Sequence, residues 1–171
     1  MNNKINSFIF DLDGVITDTA KYHFLSWKKI ADEEGIPFTK KDNEKLRGLT
    51  RERSLDILLG DRKISMSKRK KMMKLKNEYY LDLIKDIDED DLFTGVKSLL
   101  KKLKREKYTL AIASASRNAK PVINYLNIGK MFKTISDGNS VEKSKPAPDL
   151  FLHTAEKICS SPENCVVVED S

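Results

Sequence analysis

The sequence predicts an α/β protein with a core formed by a parallel β-sheet and an inserted α-helical cap. After about residue 93, short apolar runs alternate with segments of helical periodicity. This alternation is typical of a parallel sheet covered by helices on both faces. Residues 19–92 show only helical patterns, although the apolar strand Phe8–Phe10 precedes them. We therefore expect a core formed by residues 1–18 and 93–171 and a cap formed by residues 19–92.

The predicted cap contains four helices. The first carries apolar and aromatic residues at helical spacing and ends before Gly35 and Pro37. Thr50 is a suitable N-cap for the third helix. The four helices are expected at Ala20–Glu33, Asp42–Arg47, Arg51–Leu59 and Ser67–Ile84.

The predicted core continues with alternating elements. Apolar runs of strand length mark three further strands, and amphipathic segments separate them. The last helix has a proline at its start, where the missing N–H costs nothing. In order, we expect the helix Thr94–Glu106, the strand Thr109–Ala113, the helix Asn118–Leu126, the strand Phe132–Ile135, the helix Pro148–Lys157 and the strand Cys165–Val168.

Composition limits the classes of protein and partner. The chain has 171 residues, 34% of them charged, with a net charge of +6. Such a charge suits nucleic acid or an anionic small molecule, but the lysine-rich segments 68–76 and 101–107 are better explained as solvated helix faces. The two cysteines lack Cys-x-x-Cys spacing, and no apolar run has membrane-spanning length. We expect a cytoplasmic protein with reduced thiols.

The first strand ends in two carboxylates, Asp11 and Asp13, followed by Gly14. Side chains two residues apart on a strand lie on the same side. Two like charges about 4 Å apart repel by roughly 4 kcal/mol at an effective dielectric constant near 20. A divalent cation or a shared proton would compensate for this repulsion. The alternative to such a site is a solvated turn, for which Asp-Gly is a common pair of residues.

Three later motifs also follow predicted strands or stiff turns. Ser114 follows the second strand, and a small hydroxyl there suits a phosphate oxygen. Lys145 lies beside Pro146, and Pro148 follows, so the backbone that aims its ammonium is stiff. The acidic pair 169–170 follows the last strand. Taken singly, each motif also has a purely structural explanation, as a turn serine, a surface lysine or acidic turn residues.

In this order, the four motifs resemble those of the haloacid dehalogenase-like superfamily of phosphotransferases. The segment 11–19, with His23 and Trp27 after it, resembles the beta-phosphoglucomutase family within that superfamily. The resemblance implies a Rossmann-like core and a helical cap. It also implies that Asp11 is the nucleophile and that Asp13 is the general acid and base. Ser114 and Lys145 would complete the catalytic set.

The resemblance further implies a metal site and a substrate pocket. Magnesium would be held by the carboxylates of Asp11, Glu169 and Asp170 and by the backbone carbonyl of Asp13, an all-oxygen set that suits this ion. The segment 46–55 resembles the substrate loop of the family. The implied substrate-binding residues are His23, Trp27, Arg47, Gly48, Arg51, Ser54, Lys76, Ser116 and Asn118. Structural explanations exist for several of them, since a tryptophan is usually buried and Lys76 lies among other lysines.

We therefore expect a magnesium-dependent mutase that interconverts beta-glucose 1-phosphate and glucose 6-phosphate through a bound 1,6-bisphosphate. The first alternative is a sugar-phosphate phosphatase of the same superfamily, and the second is a non-catalytic protein that binds anions or nucleic acid. The expected partner is a phosphorylated hexose, with no nucleic acid and no membrane, and the expected state is a monomer. Members of the family continue with further elements, so we expect a chain ending at position 171 to be a fragment.

Overall fold

The computed structural model describes residues 4–46, 49–143 and 145–170, and it confirms the predicted fold class. The chain forms two compact units. One unit, residues 1–18 and 86–171, contains the β-sheet, and the other, residues 19–85, is helical. None of the helices in the described ranges is both long enough and apolar enough to cross a membrane.

The sheet has four parallel strands in the order β3-β2-β1-β4. Phe10 at the end of β1 is paired with Ile112 of β2 and with Val168 of β4. The strands therefore end at one common edge of the sheet, and the residues that follow them meet there. The strand bounds are β1 Ser7–Phe10, β2 Thr109–Ala113, β3 Thr134–Ser136 and β4 Cys165–Val168.

The two central strands, β1 and β2, carry buried side chains on both faces of the sheet. Ala111 and Ala113 on one face pack with Leu150 in a cluster that also contains Ile9. The opposite face carries large side chains, including Phe10, and these are also buried. Alanines on the first face leave room for a helix to pack closely against the strands. The helices of this unit are α5 Val96–Arg105, α6 Ala119–Tyr125 and α7 Asp149–Lys157.

The helical unit has its own apolar core. Trp27 and Ile30 of the first helix pack with Leu55 and Met72 from two later helices. The hydroxyl groups of Thr39, Thr50 and Ser65 cap three of the helices by accepting hydrogen bonds from backbone N–H groups. The bounds are α1 Ala20–Glu33, α2 Lys40–Glu44, α3 Arg51–Leu59 and α4 Met66–Leu83.

Several element bounds differ from the prediction for local reasons. Helix α2 begins at Lys40 because Thr39 and Asp42 form a reciprocal capping box. Strand β3 begins at Thr134, since the N–H of Phe132 closes a 3₁₀ turn on Gly129. By contrast, the bounds of α1, α3, β2 and β4 coincide with the predicted ones.

Residues 86–92 belong to the sheet unit, whereas the sequence placed them in the cap. The hydroxyl of Thr17 donates to the carbonyl of Asp91 at 2.7 Å, and the N–H of Phe93 donates to Ile16 at 3.0 Å. Glu89 also accepts a hydrogen bond from Asn127. These contacts tie the segment to the end of the first loop and to the sheet unit, and a search for helical periodicity does not detect them.

Candidate active site

The polar residues that follow β1, β2 and β4 share the carboxyl edge of the sheet. The N–H of Asp11 donates to the carbonyl of Val168 at 2.9 Å, which holds Asp11 beside the end of β4. The N–H of Ser114 donates to Ser136 at 3.1 Å, so the second motif continues the sheet pairing. In this way the parallel register brings together residues more than 150 positions apart, such as Asp11 and Asp170.

Three carboxylates form a cluster at this edge. One oxygen from each of Asp11, Glu169 and Asp170 lies within 4.8 Å of the others. Carboxylate oxygens are hard ligands, so this donor set fits a divalent cation such as magnesium. The fourth predicted ligand, Asp13, is half-buried in the loop, where it forms a parallel bridge with Thr17. Its side chain is not part of the carboxylate cluster, and the ligand predicted from Asp13 is its backbone carbonyl.

Gly14 allows Asp170 to reach the cluster. Its φ of +84° lies in the left-handed region, where a side chain is strained. In addition, a Cβ atom at this position would lie only 2.1 Å from an oxygen of Asp170. The glycine is therefore required by both the backbone conformation and the close approach of the carboxylate.

Lys145 places a positive charge at this edge of the sheet. Its Nζ lies 3.0 Å from Oδ1 of Asp11, and it also forms an ion pair with Glu169. The face of Phe151 lies 4.8 Å from the same ammonium. Lys145 thus links the predicted nucleophile to a predicted metal ligand. The neighbouring Ser144 lies outside the described residues.

The environment of Asp11 changes its acidity. Asp11 is 8% exposed, and burial raises the pKa of its carboxyl to about 6. The ammonium of Lys145 opposes this rise in pKa, and the charge of Glu169 adds to it. A carboxylate with a raised pKa in an acidic cluster is typical of functional sites, and a bound cation would favour its ionised form.

Ser114, Ser116 and Asn118 form one turn after β2. The hydroxyl of Ser114 accepts a hydrogen bond from the N–H of Ser116 at 3.1 Å, and the hydroxyl of Ser116 accepts one from Asn118 at 3.2 Å. Ser114 is 1% exposed. The structure therefore brings these three predicted residues together and fixes their backbone.

A second group of predicted residues lies in the helical unit. Lys76 of α4 is only 2% exposed, and its Nζ lies 2.9 Å from Nδ1 of His23 on α1. The rings of Tyr80 and Trp27 lie 4.7 Å and 5.4 Å from the same ammonium. None of these contacts supplies a negative charge, so Lys76 is a buried basic residue with no acidic partner among the described residues.

Burial lowers the pKa of both residues of this pair. Desolvation lowers the pKa of Lys76 to about 7, and the charge of Arg51 adds to this effect. Burial, Lys76 and Arg51 together hold the pKa of His23 well below its usual value. His23 is therefore neutral at pH 7 and able to accept a hydrogen bond from Lys76. An anionic ligand would favour the charged form of the lysine.

Arg51 occupies the first turn of α3. Its Nη2 donates to Oδ1 of Asn77 on α4 at 2.6 Å. Ser54, three residues later, is buried in the same helix. Arg47 and Gly48 lie outside the described residues.

The sequence analysis did not place Asn77 or Tyr80 among the site residues. Tyr80 could have been found, because it follows Lys76 by four residues and therefore shares its helix face. Asn77 gave no comparable signal, since it lies 26 residues from Arg51 in the chain.

Comparison with known proteins gives independent evidence of the family to which the chain belongs. The family model described as haloacid dehalogenase-like hydrolase matches residues 8–171. The chain belongs to the haloacid dehalogenase-like hydrolase family. The resemblance found in the four motifs is thereby confirmed.

Relatives within this family include enzymes of sugar phosphates. The chain is 42% identical to a beta-phosphoglucomutase of Bacillus subtilis, over 98% of this chain and 76% of that protein. It is 30% identical to a phosphorylated carbohydrates phosphatase of Thermotoga maritima, over 98% of this chain and 77% of that protein. The crystal structure of a beta-phosphoglucomutase from Clostridium difficile superimposes with a TM-score of 0.89 at 40% identity, over 98% of this chain and 77% of that one.

Proposed function

We propose that this enzyme is a beta-phosphoglucomutase, which interconverts beta-D-glucose 1-phosphate and glucose 6-phosphate. The observation that carries the proposal is the 42% identity to the Bacillus subtilis enzyme over nearly the whole of this chain. The arrangement of Asp11, Lys145 and the acidic cluster supports it, because phosphoryl transfer needs an in-line nucleophile and positive charge around the transferring oxygens.

In the proposed reaction, Asp11 carries the phosphoryl group as an aspartyl phosphate. A sugar hydroxyl attacks this phosphorus, Asp13 takes the proton of the hydroxyl, and the bond between phosphorus and Asp11 breaks. The product of this half-reaction is a 1,6-bisphosphate. Asp11 then attacks the phosphorus at the other end of the sugar, and Asp13 returns the proton to the departing sugar oxygen.

Other residues of the sheet unit would hold the transferring group. The ion pair of Lys145 with Asp11 places an ammonium beside the nucleophile, and the buried hydroxyl of Ser114 is a donor for a phosphate oxygen. Asp11, Glu169, Asp170 and the carbonyl of Asp13 would hold Mg²⁺. When bound, this ion would supply charge neutralisation for the phosphoryl oxygens.

Residues of the helical unit would bind the sugar phosphate. Arg51 can grip a phosphate with two parallel hydrogen bonds, and Lys76 adds a basic group with no acidic partner among the described residues. His23 and Trp27 adjoin that basic group on α1. We include Ser54, Ser116 and Asn118 in the proposed substrate-binding set, together with Arg47 and Gly48.

The proposed partner is a phosphorylated hexose, and the proposed state is a cytoplasmic monomer that binds neither nucleic acid nor membranes. Basic residues of α4 pair with acids of the same unit, as in the ion pairs of Lys68 with Glu34 and Arg69 with Asp56. Such pairing reduces the positive potential that nucleic acid would need. Sedimentation at several concentrations tests the monomer.

One assay tests the proposed activity. The protein is incubated with beta-glucose 1-phosphate, Mg²⁺ and a trace of the 1,6-bisphosphate, and both glucose 6-phosphate and free phosphate are measured. Glucose 6-phosphate supports the mutase. Free phosphate without glucose 6-phosphate would identify a phosphatase, the activity named for the Thermotoga maritima relative. Asp11→Asn serves as the inactive control.

A further inference from the structure

Asn77 contacts the guanidinium of Arg51 but has no part in the reaction described above. The bond from Nη2 of Arg51 to Oδ1 of Asn77 is 2.6 Å long and joins α3 to α4. We propose that Asn77 is a positioning residue, which holds Arg51 in the orientation that grips a sugar phosphate. This inference rests on the proposed function, because it assumes that Arg51 binds phosphate.

The chemistry of an amide suits this task. An amide oxygen accepts a hydrogen bond from a guanidinium but carries no net charge. Asn77 therefore holds Arg51 at one nitrogen without neutralising the charge of the guanidinium. An aspartate at position 77 would accept the same bond and would also pair with the charge.

The charged residues around Arg51 make it important that the side chain of Asn77 is neutral. Arg51 and Asn77 line an open hollow of about 400 Å³ in the helical unit, so a ligand can reach both groups. Lys70 and Lys74 line the same hollow, but so do Glu52 and Glu78. With carboxylates already present, a further negative charge beside Arg51 would weaken anion binding, whereas an amide does not add one.

A double-mutant cycle on the full chain separates positioning from a general structural role. The wild type, Asn77→Ala, Arg51→Ala and the double variant are compared by calorimetric titration with inorganic phosphate and with glucose 6-phosphate. When Arg51 is present, we expect Asn77→Ala to weaken phosphate binding about tenfold. The reason is that the variant loses the bond that orients Arg51, and hydrogen bonds to charged groups are among the stronger ones. We expect no further loss when Asn77→Ala is added to Arg51→Ala.

The isosteric variant Asn77→Asp provides a second measurement if the alanine variant folds poorly. It keeps the acceptor but adds a charge, so we expect weaker phosphate binding at pH 7 and partial recovery at lower pH as the carboxylate is protonated. Asn124→Asp makes the same charge change at an exposed position of the sheet unit and controls for net charge. This control is expected to bind like the wild type.

The outcomes distinguish this inference from the proposed function. Losses that add in the double variant, or an Asn77→Asp protein that binds phosphate as tightly as the wild type, would overturn the positioning role. A wild type that binds neither ligand would overturn it as well. If phosphate binds and the cycle is non-additive but no glucose 6-phosphate is formed, the mutase proposal fails while the positioning of Arg51 by Asn77 is supported.

Discussion

At the scale of single residues, Asp11 and Asp13 differ in environment although they are two positions apart. Asp11 is buried against Lys145 and belongs to the carboxylate cluster, whereas Asp13 is half-buried in the loop. A nucleophile must be ionised and fixed, while an acid-base group must exchange a proton. The two environments are consistent with this division of roles.

The proposed roles predict different losses on substitution. Asp11→Asn should abolish turnover and covalent phosphorylation, because the amide cannot form an acyl phosphate. Asp13→Asn should slow turnover by roughly 100- to 10,000-fold, the usual contribution of a positioned acid-base group. Turnover and phosphoprotein mass measure the two effects. A phosphorylated residue other than Asp11 would contradict the assignment.

The lowered pKa of Lys76 predicts how the free energy of unfolding changes with pH. Its pKa is lowered from 10.5 to about 7 in the folded protein. Between these two values the unfolded chain binds a proton that the folded chain does not, so the free energy of unfolding rises with pH. The penalty for the buried charge is fully present below about pH 7 and disappears as pH approaches 10.5.

The measurement compares the wild type with Lys76→Met by urea denaturation from pH 6 to 10. Above pH 7, the wild type should gain stability relative to Lys76→Met by up to about 1.4 kcal/mol per pH unit, because methionine does not titrate. Below pH 7 the contribution of Lys76 to this slope should disappear, with Lys76→Met the more stable protein. A difference that does not change with pH would mean that Lys76 keeps its ordinary pKa.

At the scale of elements, the loop after β1 is shaped by its contact with the residues after β4. Gly14 adopts a positive φ, and Asp170 occupies the space that a side chain would need. The N–H of Gly14 also donates to the carbonyl of Thr17 at 2.9 Å, which closes the loop. The geometry of the acidic cluster therefore depends on a residue that supplies no ligand atom.

Gly14→Ala should damage the cation site more than it damages the fold. Strain at a left-handed residue costs roughly 1–3 kcal/mol. Displacement of Asp170 should in addition weaken Mg²⁺ binding by at least about tenfold, the usual effect of disturbing the support of a metal ligand. The free energy of unfolding and calorimetric titration with Mg²⁺ measure the two effects.

Gly60→Ala is a matched control for this substitution. Gly60 ends α3 with a φ of +54°, but a Cβ atom there would meet nothing within 4 Å. The Gly60→Ala variant should lose stability from backbone strain alone and should bind Mg²⁺ like the wild type. Equal Mg²⁺ affinity in the two variants would contradict the proposed role of Asp170.

At the scale of the whole molecule, the sequence predicted what depends on local pattern. Strands such as Thr109–Ala113 were bounded correctly, because short buried strands are continuous apolar runs. The meeting of Asp11 with Asp170 followed from parallel pairing, which places successive strand ends at one edge. The identity of the family followed from the order of the motifs.

The remaining features depend on long-range contacts that have no sequence pattern. Lys76 is buried although lysines are usually exposed, because aromatic rings and His23 surround its side chain. The bond of Arg51 to Asn77 joins two helices, and no periodicity within either helix predicts it. Residues 86–92 likewise join the sheet unit through contacts with Thr17 and Asn127.

The two units carry different parts of the proposed chemistry, and this division can be tested. The acidic cluster and Asp11 lie in the sheet unit, whereas Arg51 lies in the helical unit. A minimal acyl phosphate such as acetyl phosphate offers a phosphoryl group but no second phosphate. Binding energy from a remote phosphate serves to orient the reacting group, so it is available only with the sugar phosphate.

Arg51→Ala should therefore lower kcat/KM for the mutase reaction by roughly 10- to 100-fold, the range expected for hydrogen bonds to a charged group. Hydrolysis of acetyl phosphate should change little, because its phosphoryl group needs only the residues of the sheet unit. Arg53→Ala removes an exposed arginine from the same turn of α3 and should leave both rates near those of the wild type. Equal losses on both substrates would mean that Arg51 supports the reacting centre itself and does not grip a remote phosphate.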